Sequence, residues 1–204
     1  MIEVATAYGP ARLDIDQPAT DPLSLLVLGH GAGGGVDAVD LLAVRDAAVA
    51  SRVTVARVTQ PYRVAGRRAP APASQLDRAF VAVVAAARAL VPVRVPLIVG
   101  GRSSGARVAC RTAAELGAAG VLALAFPLHP PGKPDRSRAG ELPAQLPTLV
   151  VNGDRDPFGV PTASGLVDVR VRAGETHDLR RDPAAVAAVA VGWLVQNGWA
   201  AARP

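Results

Sequence analysis

The run Leu23-Ser24-Leu25-Leu26-Val27-Leu28 constrains the fold more than any other stretch of the chain. It lacks the polar alternation of a half-solvated strand, so it predicts a strand covered on both faces, the kind that belongs to a parallel sheet. A glycine-rich loop, Gly29-His30-Gly31-Ala32-Gly33-Gly34-Gly35, follows at once. Asp37 is then placed to cap a helix running to about Ser51, with Val39, Leu42 and Val49 on its inner face. Strand and helix signals keep alternating. Arg52–Val58 reads as a β-branched strand, Pro61–Pro72 as a loop and Ser74 to Leu90 as an alanine-rich helix. Leu97-Ile98-Val99 is a second buried strand, ending at Gly100-Gly101, and Gly105–Gly117 is helical. Val121–Phe126 and Thr148–Val151 are strands separated by a proline-rich connection, Pro127–Pro147. A shorter strand, Val167–Val171, precedes a closing helix, Pro183–Asn197, with proline in its first turn. At the other end, Ile2–Ile15 is broken by Tyr8-Gly9-Pro10 and predicts an N-terminal hairpin.

This alternation predicts an α/β protein in which residues 1–204 form one domain: a doubly wound, mostly parallel sheet with helices on both faces. Composition agrees, since half of the residues are hydrophobic but only 3% are aromatic. Small Ala, Val and Leu side chains suit close packing of helix on sheet. In such sheets ligands bind at the carboxyl ends of the strands, which directs attention to the loops after Leu28, Val99, Val151 and Val171.

The net charge of +5, from 22 basic and 17 acidic residues, raises the question of nucleic acid. Yet Lys133 is the only lysine, and the arginines are scattered, in pairs at most, without aromatic residues between them to stack on bases. The distribution argues against a nucleic-acid partner. Cys110, a lone cysteine, excludes an internal disulfide and a thiolate zinc site, and no metal is expected. The N-terminus lacks a basic segment followed by an apolar core, and the uncharged stretches near Gly117–Leu128 and Pro183–Val195 fall short of the roughly 18–20 residues of a membrane span. A cytoplasmic protein without membrane contact is the expectation.

The residues Gly101-Arg102-Ser103-Ser104-Gly105 sit where an apolar strand meets a helix and match G-x-S-x-G, a turn that lifts a serine out of the sheet. A serine hydroxyl needs a base to take its proton and a carboxylate to orient that base. His177 lies in the loop between the last strand and the last helix, the position for the base when the chain order is serine, acid, histidine. Asn152-Gly153-Asp154-Arg155-Asp156-Pro157 offers the acid. Asp156 is the better candidate, while Asp154 suits organisation of the turn. Asp178 adjoins His177 and points away from it on an extended loop. Backbone amides of Ala32 and Ser104 are the candidate oxyanion donors. His30, in the fixed H-G position of the early loop, is foremost structural; with Arg102 and His129 it is also a candidate substrate contact. Gly29-His30-Gly31-Ala32-Gly33-Gly34 also spells G-x-G-x-x-G, the dinucleotide fingerprint; Arg57-Val58-Thr59-Gln60 offers no acidic residue for a ribose, but an arginine there could suit a phosphorylated one, so a dinucleotide-binding protein stays as a lesser alternative.

Together these residues resemble the α/β-hydrolase superfamily, and in particular its small, lidless, dienelactone-hydrolase-like members. Phe126-Pro127-Leu128-His129-Pro130-Pro131-Gly132-Lys133-Pro134, with Gly100-Gly101-Arg102-Ser103 and Gly153-Asp154-Arg155-Asp156-Pro157-Phe158-Gly159, is similar to the branch containing the third regulatory subunit of the NSL histone-acetyltransferase complex and its single-domain relatives. Position 104 is serine where that branch often has methionine. The resemblance implies a hydrolase of small ester-like substrates working without cofactor, through Ser103, Asp156 and His177. Its alternative is a catalytically silent interaction module that keeps the fold.

Overall fold

Along a strand, successive side chains point to opposite faces, and here both faces are covered, so each apolar run feeds two cores at once. A computed structural model describes residues 1–202. In β3 (Ser24–Gly29), Leu25 and Val27 pack with Phe80, Val83 and Val84 of α3 (Ala73–Arg88) and with Val108 of α4 (Ser104–Thr112). Leu26 and Leu28 face the other way, onto Leu41 and Val44 of α1 (Val39–Ala50) and Val186, Ala190 and Leu194 of α5 (Pro183–Gln196). The same division recurs in β5 (Leu97–Arg102), β6 (Gly120–Leu124) and β7 (Thr148–Gly153), where Val99, Val121 and Val150 take one side and Ile98, Leu122 and Leu149 the other.

Eight strands form one sheet in the order β1-β2-β4-β3-β5-β6-β7-β8. The hairpin of β1 (Ile2–Val4) and β2 (Ala11–Asp16) is antiparallel, and β2 joins β4 (Val53–Thr59) antiparallel; every later pairing, out to β8 (Val167–Arg172), is parallel. The predicted α/β class and its doubly wound sheet are what the protein adopts. From β3 the chain moves outward to β4 and then crosses back to β5 on β3's other side. Order reverses between β3 and β5, so the loops leaving their carboxyl ends diverge and open a crevice.

Three local expectations need correction. Helix α1 begins at Val39 with Ala38 at its cap and no side-chain capping bond, so Asp37 is not its cap. Its inner face is Asp40, Leu41, Val44 and Ala48, whereas Val39 is about half exposed. The alanine-rich helix is apolar on most sides and carries little phase information. The segment from Pro61 to Pro72 is not all loop, since Pro61–Val64 forms a one-turn helix, α2, with proline fixing its first residue.

What positions the serine is a close approach of three glycines. Ser103, between β5 and α4, adopts φ 53° and ψ −110°, an uncommon region for a residue with a side chain. A Cβ on Gly101 would lie 2.4 Å from the Gly29 carbonyl oxygen, and one on Gly105 would lie 2.3 Å from it. The helix can therefore start against the end of β3 only while these positions lack side chains.

Two expected outcomes follow from this packing. Gly105→Ala should lower stability by about 3 kcal/mol in urea unfolding, whereas Gly33→Ala, with open space around its Cα, should change it by less than about 0.5 kcal/mol. Equal effects would show that the contact with Gly29 does not govern the turn. Cys110 is buried in α4, and burial, with the Glu141 charge adding to it, pushes its thiol up to about 12. Native protein should resist iodoacetamide at about pH 8 and be alkylated once denatured.

Candidate active site

The carboxyl ends of β5, β7 and β8 bring Ser103, Asp156 and His177 into line. Ser103 Oγ is 2.8 Å from His177 Nε2, and His177 Nδ1 is 2.8 Å from Asp156 Oδ2. An ionised carboxylate only accepts, so the arrangement places the imidazole hydrogen on Nδ1 and leaves Nε2 to accept from the serine hydroxyl. The Asp156 side chain is fully enclosed while the histidine ring is about one-fifth exposed, so solvent reaches the base but not the acid. Phe158 stands edge-on to His177 with ring centroids 4.4 Å apart, closing one side of the imidazole.

The Asp156 carboxylate is held by its own loop. Its Oδ1 accepts from the Phe158 amide at 2.9 Å, and Oδ2 also receives a long contact, 3.3 Å, from Asn152 Nδ2. Asn152 is buried at the end of β7 and bridges to the Phe126 backbone in both directions, its Oδ1 accepting and its Nδ2 donating. Asp154 accepts from the Gly174 amide at 2.7 Å and so ties the acid loop to the histidine loop, as its turn-organising role requires. Glu175 is buried and accepts from the Arg181 and Asp182 amides, fixing the far side of the histidine loop. Asp178 bonds to Thr176 and Arg180, away from the imidazole.

The early glycine loop is fastened from behind. His30 Nδ1 donates to the Gly31 carbonyl at 2.7 Å, and its Nε2 accepts from the Gln60 amide at 3.1 Å. With both nitrogens engaged and burial lowering its pKa, the ring stays neutral and anchors the loop. Tyr62 Oη donates to the Ala32 carbonyl at 2.7 Å, which directs the peptide on the other side of that residue. Ser104 is the first residue of α4, where backbone N–H groups have no partner in a preceding turn. Neither the Ala32 nor the Ser104 amide donates to another backbone carbonyl among the described residues. Helix α1 begins only at Val39, so the loop does not stack its amides at a helix N-terminus as a dinucleotide-binding turn does.

The other two candidate contacts are also turned inward. His129 Nδ1 donates to the Pro130 carbonyl at 3.0 Å, and its backbone amide donates to Phe158, so the residue braces the acid loop. Arg102 pairs with Asp40, its Nε 3.1 Å from Asp40 Oδ2, and donates to the His177 carbonyl. Burial raises the Asp40 carboxyl to about 6, against the pull of Arg102. Asn152, Glu175, Tyr62, Phe158 and Asp40 were missed as site residues. Asn152, Phe158 and Glu175 adjoin the predicted acid and histidine loops and so carried a positional hint, whereas Tyr62 and Asp40 gain meaning from partners distant in sequence.

No cluster of three or more His, Cys, Asp or Glu suited to a metal ion occurs among the described residues, and none of their helices is long and apolar enough to cross a membrane. No functionally curated protein matches the sequence. Solved structures do match closely in shape. A lidless α/β serine hydrolase from Xanthomonas campestris is 20% identical, with a TM-score of 0.79 over all of this chain and 95% of that one. Est1E from Butyrivibrio proteoclasticus, solved with ferulic acid bound, is 15% identical with a TM-score of 0.80 over 96% and 98% of the two chains. A dienelactone hydrolase from Anabaena variabilis is 15% identical with a TM-score of 0.76 over 96% and 95%. These likenesses establish the α/β-hydrolase fold without a lid. The model of the alpha/beta hydrolase domain family matches residues 22–178, more than half of the sequence and all of the elements that carry the site, so the chain belongs to that family.

Proposed function

We propose that this protein is a serine hydrolase cleaving ester or related acyl bonds of small substrates through Ser103, His177 and Asp156. The observation that carries the reading is the unbroken relay of two 2.8 Å contacts from Asp156 through His177 to a serine held at positive φ. His177 Nε2 takes the hydroxyl proton as Ser103 Oγ bonds to the acyl carbon, and the carbonyl π electrons move onto oxygen. The Ala32 and Ser104 amides receive that oxyanion, each well-placed donor being worth about 3–4 kcal/mol. Asp156 keeps the imidazole oriented and stabilises it while it is charged. Collapse of the tetrahedral adduct breaks the bond to the leaving group, which departs with the proton from Nε2. Water, deprotonated by the same nitrogen, then attacks the acyl-serine, and a second collapse frees the acid and returns the proton to Ser103.

Small substrates fit a lidless fold whose sheet, helices and loops account for nearly all of the chain. Similarity to proteins solved as Est1E with ferulic acid and as a dienelactone hydrolase supports ester-like chemistry. We place the chain in the branch of the NSL subunit relatives on Gly100–Ser103, Phe126–Pro134 and Gly153–Gly159 alone.

A fluorophosphonate probe should modify wild-type protein at Ser103, located by peptide mass spectrometry, and leave Ser103→Ala unmodified. On p-nitrophenyl acetate, Ser103→Ala should lose about ten-thousand-fold or more in kcat, and Asp156→Asn about a thousandfold to ten-thousandfold. A fully folded wild type that neither labels nor turns over would instead be a silent module.

A further inference from the structure

We propose that Arg102 is a positioning residue, its guanidinium clamping the histidine loop and the oxyanion loop to the strand that delivers the nucleophile. The inference rests on the serine-hydrolase reading. Arg102 ends β5, immediately before Ser103, and its register partner is Leu124, whose carbonyl accepts the Ser103 amide at 2.9 Å. Its backbone is thus fixed to the sheet. Its side chain is only 15% exposed, and each part of the guanidinium has a neighbour. Nε lies 3.1 Å from Asp40 Oδ2 on α1, and Nη2 donates to the His177 carbonyl at 3.2 Å. Nη1 sits over Gly31, where a Cβ would come within 3.1 Å of it.

One planar group therefore bonds to the backbone on which the base is mounted and fills the space where Gly31, next to the Ala32 amide, would carry a side chain. It reaches neither the imidazole nor Ser103 Oγ, so it takes no part in proton transfer. The His177 ring is held by hydrogen bonds at both nitrogens, but its main chain requires its own restraint, and Arg102 supplies one at the carbonyl of that very residue. Asp40 completes the device. Its side chain is fully buried, with one oxygen accepting from the Leu41 amide and the other facing Arg102, and it has no exposed surface on which to act otherwise. A buried carboxylate costs stability unless it is paired and hydrogen-bonded. Here the second oxygen has the Arg102 guanidinium beside it as a charge partner, without a hydrogen bond between Nε and Oδ2. Lysine could satisfy Asp40, but a single ammonium lacks the rigid fork that spans Asp40, His177 and Gly31 together.

The test compares Arg102→Lys with wild type by steady-state turnover of p-nitrophenyl acetate, by the rate of fluorophosphonate labelling, and by NMR of 15N-labelled imidazoles. Arg102→Lys should keep a melting temperature within a few degrees of wild type. Its kcat and labelling rate should fall about tenfold to a hundredfold, with KM changed by less than about threefold. The His177 imidazole signals should shift or broaden while those of His30 stay in place. Wild-type kcat in the variant, or a raised KM with kcat intact, overturns the clamp, the second result making Arg102 a substrate contact. If the lysine variant does not fold, the neutral pair Arg102→Met with Asp40→Asn removes both charges and should show the same kinetic and NMR changes; unchanged values there overturn the proposal equally. Failure of the hydrolase reading is separable, because it shows as wild-type protein that does not label. In that case the His177 signals still decide: moved by the substitution they support the clamp, and unmoved they refute it.

Discussion

Everything at the site depends on backbone meeting backbone at Gly29, Gly101 and Gly105. A helix that starts one residue after a strand ends, and packs directly over that strand, must bring its first turn within van der Waals distance of the neighbouring strand's last peptide. A Cβ on Gly105 would lie 2.3 Å from the Gly29 carbonyl oxygen and 2.4 Å from its carbon, which leaves no room for a side chain there, and one on Gly29 would be tight at 3.2 Å from Gly105 Cα. The reward is geometric. Ser103 is thrown out of the sheet at positive φ, the Ser104 amide stands at the head of α4, and the Gly29–Ala32 loop lies beside both. The strain of one non-glycine residue in that region, about 1–3 kcal/mol, is tolerable because long apolar strands on both sides over-determine the turn.

Around this turn the buried polar groups fall into two kinds. Asp156 and Glu175 accept from backbone amides of their own loops, and Asn152 and His30 bond the backbone of the adjoining Phe126 and Gln60 segments, so each burial is compensated by hydrogen bonds to main chain. Asp40 and Arg102 are different, since their main partner is each other across two elements. Such a pair contributes little net stability, and truncating one member leaves an uncompensated charge. A carboxyl driven up to about 6 is the signature of that cost. The locally satisfied groups build the loops, whereas the ion pair sets the relation between them.

The two-faced strands were legible because burial on both sides leaves an unbroken apolar run, and Ser103 and Asp156 each follow such a run, whereas His177 follows the alternating strand Val167–Arg172 and was singled out by its place in the chain order. The inner face of α1 was not. A helix of alanines and valines with several apolar sides does not reveal its rotation, and the deciding residue is Asp40, a charged side chain that hydropathy assigns to solvent. Its burial is intelligible only once Arg102 is beside it. For the same reason Arg102, His30 and His129 looked available to a substrate: a polar residue near a catalytic loop has the same sequence whether it faces the cleft or the scaffold. Asp156 was preferred to Asp154 on the G-x-x-D-P form that the loop shares with the α/β-hydrolases, and the structure gives the two distinct partners, His177 and Gly174.

The positive charge follows the logic of Arg102 on a larger scale. Arg45 and Arg57 converge on Asp16, joining α1 and β4 to the hairpin strand β2. Arg107 and Arg111, successive turns of α4, engage Glu141 of the proline-rich connection, and Arg111 also engages Asp77 of α3. These guanidiniums are half-buried or less exposed, and each bridges elements distant in sequence, a task suited to a planar group with several donors. Arg45, Arg57, Arg107 and Arg111 thus act as braces between secondary-structure elements, whereas Arg170 and Arg180 pair with an aspartate two residues away at the surface. Helix α4 gains most from the arrangement: its first turn is pinned by the glycine contact beneath Ser103, and its later turns are pinned by two arginines. A helix held at both ends keeps the turn that carries Ser103 in place without a lid pressing on it from above.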